Sequence, residues 1–134
     1  MKMALEGIRV LDVSEAGLAP VCCRILADMG AEVIKVEKPG TGDLIRAWDS
    51  VVHGLSSGYV WLNGNKRSFA VDVKKPAGLE AVRRLAGRVD VLLENFAPGV
   101  ADRLGLGATE LCARNQRLIT APFPVMVMTA PTGT

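Results

Sequence analysis

The chain has 134 residues, 49% of them hydrophobic, and 16 basic against 14 acidic side chains leave a net charge of +2. That is enough apolar material for one core in one domain. The charge balance is too even for a general nucleic-acid binder, which concentrates its cations on one face.

No run is long enough to cross a bilayer, so no membrane partner is expected. Glu6 and Arg9 interrupt what would be the apolar core of a secretion signal. Cys22, Cys23 and Cys112 lack framework spacing and point to reduced thiols in a cytoplasmic protein. None has a nearby histidine, His53 being the only one, so neither a Cys/His metal site nor a Cys–His dyad is expected.

Ile8 to Val13 reads as a first strand. Ser14 to Pro20 turns the chain, and Pro20 opens a helix through Met29. Its inward face at helical spacing is Val21, Cys22, Ile25, Leu26 and Met29, and Gly30 supplies the stop. Ala31 to Glu37 alternates as a second strand, making a strand–helix–strand unit with a right-handed crossover. Lys38 to Arg67 is rich in glycine and serine and has no period. It is expected to be a long irregular connection, with a short helical turn around Leu44 to Trp48. Connections of that length are usually functional or mobile.

Ser68 to Val73 reads as a third strand. Pro76 then starts a helix that faces inward with Leu79, Val82, Leu85 and Ala86, and Gly87 ends it. From Val89 to Leu93 runs a short apolar stretch of the kind a parallel sheet buries on both faces. Glu94 and Asn95 break it, and Pro98 falls where a first helical position would be. A short helix over Thr109 to Arg114 and a strand over Arg117 to Thr120 follow. The expectation is an α/β domain over residues 1–120, a Rossmann-like parallel sheet with flanking helices. Residues 121–134 carry three prolines and no period, and read as an irregular tail.

In open α/β sheets ligands bind beyond the carboxyl ends of the strands. Asn95, Phe96, Ala97 and the N–H groups near Val100 are therefore expected to face a ligand. The first turn, Ser14 to Pro20, precedes a helix and can meet a phosphate. Glu37 lies about 20 residues beyond Gly17, the spacing at which a dinucleotide fold places its ribose acid. That keeps an NAD-type domain as a rival, although the segment has one glycine where such folds have three. The plainer reading is a tight turn and a charged strand end.

Lys38, Lys74 and Arg103 each follow a predicted strand or open a helix. They can converge on phosphates, or be solvated charges. Lys66 and Arg67 read as a polar approach to a strand. Asn95 and Phe96 can equally be a turn residue and a core aromatic. No pairing among Asp12, Asp28, Asp43, Asp72 and Asp90 has a spacing that implies acid–base work. His53 is expected in solvent, and Trp48, Tyr59 and Trp61 are expected to cover the core rather than stack on an adenine. Taken alone, these residues indicate an α/β domain that has the means to bind a phosphorylated cofactor and no more.

Four phrases go further: LEGIRVLDVSEAGLAP, LADMGAEVIKVEKPGTGD, NKRSFAVDVKKPAG and DVLLENFAPGVADRLGLG. In this order and spacing they resemble the N-terminal part of the family III CoA-transferases. That group includes formyl-CoA and carnitine CoA-transferases and α-methylacyl-CoA racemase, and the match covers Leu5 to Ile119. The resemblance implies a nucleotide-binding fold in a longer enzyme, interlocked homodimers, coenzyme A with no metal, and a carboxylic acid as second substrate.

It also implies site residues. Gly17 and Leu18 match positions that contact CoA. Lys38 stands at a basic position, usually arginine, near the nucleotide phosphates, and as lysine it loses the bidentate fork. Val71, Asp72, Val73 and Lys74 match a contact segment, Asn95, Phe96 and Ala97 the family's ENF-x-PG loop, and Arg103 a basic CoA ligand. The family's transferases use an aspartate as nucleophile, and its racemases a histidine and an aspartate as proton carriers. Both sets lie beyond the matched stretch, so no catalytic residue is assigned. The expected activity is transfer of CoA between carboxylic acids by the full-length protein. The alternatives are a racemase fragment, an NAD-type oxidoreductase fragment and an inactive CoA-binding piece. A piece this short is expected to expose apolar patches and aggregate.

The tail has its own explanation. Regrouping its possible codons by one base from Pro124 onward can, with permitted third bases, read Gly-Tyr-Gly-Asp-Asp-Gly-Pro-Tyr-Arg, which resembles the glycine-rich text with which the family continues. This predicts a one-base loss near codon 120, in the gene or in the sequence record. Sequencing the coding DNA tests it.

Overall fold

A computed structural model describes residues 1–123. Five parallel strands among the described residues form one sheet in the order β3-β2-β1-β4-β5. In chain order the elements are β1 (Arg9–Val13), α1 (Leu18–Asp28), β2 (Glu32–Glu37), α2 (Ser57–Asn63), β3 (Lys66–Ala70) and α3 (Pro76–Ala86). After them come β4 (Val91–Glu94), α4 (Val100–Arg103), α5 (Ala108–Arg114) and β5 (Ile119–Pro122). A single turn of 3-10 helix, Leu44–Ala47, interrupts the connection between β2 and α2.

The strands alternate between two apolar layers, as a pleated backbone requires. Leu11, Val13 and Leu92 pack on one face with Val82 and Ala86 of α3, Leu106, and Leu111 of α5. Val10, Val33 and Leu93 pack on the other with Cys23 and Ala27 of α1. The central strands β1 and β4 lie in register from Val10 opposite Val91 to Val13 opposite Glu94. Strand order reverses there, because β2 and β3 lie to one side of β1 and β4 and β5 to the other.

Several boundaries differ from the sequence expectation. Helix α1 starts at Leu18, before Pro20, and buries Ala19, Pro20, Cys23 and Ala27. Ile25 and Met29, assigned to its inward face, are 54% and 43% exposed. Apolarity alone does not choose between adjacent arcs of a helix: Cys23 and Ala27 are buried against the sheet, with Cys22 and Leu26 of the expected face packed beside them. The connection from Lys38 contains α2, whose N-terminus Ser56 caps by accepting from the Tyr59 N–H at 3.3 Å.

Strand β3 spans Lys66–Ala70 rather than Ser68–Val73, since its partner β2 ends at Glu37, opposite Ala70. Val71 still donates to the Glu37 carbonyl at 2.9 Å, and the chain then turns, Lys75 N–H donating to the Asp72 carbonyl. Gly78 of α3 makes room for that turn: a Cβ there would lie 2.1 Å from the Asp72 carbonyl oxygen. Helix α3 matches the reading, including its stop at Gly87. Pro98 lies outside a helix. Gly99, with φ 77°, is the N-cap of α4. Strand β5 runs to Pro122, two residues into the stretch expected to be irregular. The regrouped segment from Pro124 lies outside the described residues.

Candidate functional site

All strands are parallel, so every loop that leaves a strand end emerges at one edge of the sheet. Beneath that edge lies a buried set of charges. Lys35 sits mid-strand in β2, on the face of Val33 and Glu37, and is 1% exposed. Its ammonium lies 2.8 Å from Asp43 and 3.9 Å from Asp12, and donates to the Ser14 carbonyl at 2.7 Å. Asp12 also receives Lys66 at 2.9 Å and the Ser14 N–H at 3.1 Å. Lys66 reaches the Pro20 carbonyl and Asn63 as well, so it is an internal ion-pair partner and no mere approach to a strand.

These contacts escape a search by spacing because Asp12, Lys35, Asp43 and Lys66 come from four separate segments. One signal was present. A lysine inside an alternating strand, among residues of the buried face, must find a carboxylate, since an unpaired buried charge is very costly.

Glu37 ends β2 and is almost fully buried. It accepts two bonds from Arg46, at 2.8 and 3.0 Å, and one each from Tyr59, Ser68 and the Asp43 N–H. Burial by itself would raise its pKa. The hydrogen bonds from Arg46, Tyr59, Asp43 and Ser68 outweigh that and hold it down to about 2. Arg46 lies over the Tyr59 ring, 3.6 Å from its centroid, and burial with the adjacent Glu37 charge raises the Tyr59 hydroxyl pKa. The carboxylate that a dinucleotide fold would offer to a ribose is therefore already engaged. Burial first, then Asp12, likewise pushes the Cys23 thiol far above its usual range, which makes it unreactive.

The turn after β1 is held from two sides. Ala16 N–H donates to the Asp43 carboxylate at 3.2 and 3.3 Å. From the β4 side, Asn95 accepts from the Glu15 N–H at 3.0 Å and donates to the Glu15 carbonyl at 2.7 Å. Asn95 thus spans the point where strand order reverses, the place where open α/β sheets bind ligands. Gly17 and Leu18 stand exposed on this turn, Leu18 at 78%. Lys38 reaches the same turn through an ion pair with Glu15 at 3.3 Å.

The other expected residues are more dispersed. Phe96 is half-buried against the core, and Ala97 is exposed beside it. Val71 and Val73 pack inward from the turn after β3. Asp72 accepts from the Lys74 N–H at 3.0 Å, so its carboxylate orders the turn and leaves Lys74 in solvent. Arg103 is exposed on α4. The structure therefore brings Lys38 and Asn95 onto Glu15, in the turn that carries Gly17 and Leu18, with Phe96 and Ala97 beside Asn95. Lys74 and Arg103 share the edge from opposite flanks.

The N–H of Val100, expected to face a ligand, donates to the Ala97 carbonyl at 3.0 Å. Trp48 and Trp61 do not cover the core: they are 63% and 65% exposed, on short surface elements. His53 is exposed as expected.

Two clefts open on this edge. One of about 360 Å³ lies between β4, β5 and the α4–α5 segment, with Leu92, Phe96, Leu106 and Pro122 among its apolar lining and Glu94 and Asp102 among its polar lining. A smaller one, about 180 Å³, is lined by Glu37, Lys38, Arg46 and Ser68. Among the described residues no group of three or more His, Cys, Asp or Glu could hold a metal. No helix there is long and apolar enough to cross a membrane.

Known proteins are similar to this chain in sequence and fold. A formyl-CoA:oxalate CoA-transferase of Bradyrhizobium sp. (strain ORS 278) is 44% identical over 122 residues, which are 90% of this chain and 29% of the relative. The enzyme of that name from Afipia carboxidovorans is 45% identical over the same shares. The chain thus spans about 29% of the length of the curated relatives it matches. Among solved structures, Rv3272 of Mycobacterium tuberculosis superposes with a TM-score of 0.85 at 39% identity, over 91% of this chain and 34% of that one. A CAIB/BAIF family protein from Brucella suis gives 0.83 at 36% identity, over 91% and 33%. The model of CoA-transferase family III matches residues 5–124. With that match over nearly its whole length, the chain belongs to CoA-transferase family III.

Proposed function

We propose that this chain is the CoA-binding N-terminal part of an acyl-CoA:carboxylate CoA-transferase, and that the whole protein moves CoA between two carboxylic acids in the cytoplasm as a homodimer. The observation that carries the reading is the Asn95 bridge. It holds the turn bearing Gly17 and Leu18 against the loop bearing Phe96 and Ala97, at the reversal point of the sheet. CoA lies across these two loops. Lys38, Lys74 and Arg103 supply positive charge for its phosphates, and Val71 to Val73 shape the turn that presents Lys74.

Transfer is favoured over racemisation because relatives at 43–45% identity are named for formyl-CoA and oxalate. An NAD-type reading is disfavoured by the engagement of Glu37 with Arg46 and Tyr59. The reacting groups belong to the rest of the protein, so this chain binds CoA without turning it over.

Calorimetric titration with CoA and with NAD separates the readings. Saturable CoA binding that NAD does not compete is expected. NAD binding of equal strength, or no CoA binding at all, overturns the proposal.

A further inference from the structure

We propose that Lys35 and Asp43 are positioning residues that set the conformation of the ligand-contacting turn after β1. The ligand half of this inference rests on the CoA reading above; the clamp itself does not. Lys35 donates to the Ser14 carbonyl at 2.7 Å, and Asp43 accepts from the Ala16 N–H. The two side chains, 1% and 0% exposed, are joined at 2.8 Å. Both backbone groups that flank Glu15 are thus held from below by one ion pair.

The choice of charged residues matters. Lysine can only donate and an ionised aspartate can only accept, so the pair admits one orientation of the turn. Ala16 needs that constraint, because it holds φ 39° without being glycine, a conformation that persists only where the surroundings over-determine it. Asp43 also ties the turn to the segment that carries Lys38. Its own N–H donates to Glu37 at 3.1 Å, and just before it the Gly42 N–H closes onto the Lys38 carbonyl at 2.9 Å. One buried pair therefore sets the spacing between an exposed cation and the exposed Gly17–Leu18 crest before any ligand arrives. Such pre-organisation raises affinity by removing an ordering cost from binding.

The test combines affinity with amide exchange. Asp43→Asn keeps the shape and one acceptor oxygen but removes the charge facing Lys35. It is expected to weaken CoA binding by about ten-fold or more and to speed exchange of the Ala16 amide by about 100-fold. Leu111→Ala in α5, a core change in a helix that makes none of the turn's hydrogen bonds, is expected to leave the CoA Kd within about two-fold.

A folded Asp43→Asn protein that binds CoA within about two-fold of the unaltered chain overturns the proposal. So does equal weakening by Leu111→Ala, which would mean that lost stability alone is felt. If Asp43→Asn does not fold, the unaltered chain still decides: an Ala16 amide that exchanges like a free one overturns the clamp. Absence of CoA binding by the unaltered chain sinks the CoA reading, while the Ala16 exchange rate still judges the clamp separately.

Discussion

The two flanks of the sheet's carboxyl edge are built on opposite principles. On the β1–β2–β3 side, Asp12, Asp43 and Glu37 face Lys35, Lys66 and Arg46, and the loop after β2 folds down onto them. On the β4–β5 side the edge is an open, mainly apolar cleft of about 360 Å³. The first flank trades solvation for fixed geometry, since buried ions tolerate only arrangements in which each is matched. The second, among the described residues, keeps its surface available. Asn95 is the link between them, and that pairing of a rigid anchor with an accessible floor is what a large, flexible ligand needs.

The contrast can be broken at its strongest point first. Asp12→Ala leaves Lys66 buried without its carboxylate, and should cost about 3–5 kcal/mol, read from urea unfolding. A loss below about 1 kcal/mol would mean the charges do not hold this flank.

Next in size is the acid dependence of Glu37. Its folded pKa is about 2, below the ordinary 4.5, so the stability it confers is fully present above the ordinary value and is lost as pH falls through the folded one. On the order of 3 kcal/mol should disappear across that window. Glu37→Gln should flatten the urea midpoint there, and an unchanged slope would remove Glu37 from the anchor.

The smallest effect belongs to the open flank. Thr120 lines the large cleft, and Thr120→Val should move stability by less than about 0.5 kcal/mol, because water can serve its hydroxyl. A larger loss would show that flank to be closed as well.

How much of this was legible in the chain followed the range of the forces involved. The short apolar runs at Val10–Val13 and Val91–Leu93 and the helix from Pro76 to Gly87 carry their structure locally, in period and caps. They were readable, and so was the parallel sheet. The limits of β3 were not, because they are set by where β2 ends and not by the valines that follow Ala70. The inward face of α1 is legible only in part for a similar reason: Cys22 and Leu26 do pack on the core, but fit to the sheet buries Cys23 and Ala27 most deeply and leaves Ile25 and Met29 exposed.

The site split the same way. Asn95 could be picked out as a strand-end turn residue, but its bonds to Glu15 join positions 80 residues apart. The pairing of Asp12 with Lys66 spans 54. No local pattern encodes such partners; only the charge stranded in a buried strand at Lys35 hinted at them.

Gly78 offers a handle of a different kind. Because α3 touches the Asp72 carbonyl through a bare α-carbon, the distance at which the Val71–Lys74 bend rides over that helix is metered by one absent methyl. Adding it would force the bend and the helix apart while changing the identity of no ionisable side chain. The position of Lys74 can thus be altered with its charge kept, which no exchange of the lysine itself allows.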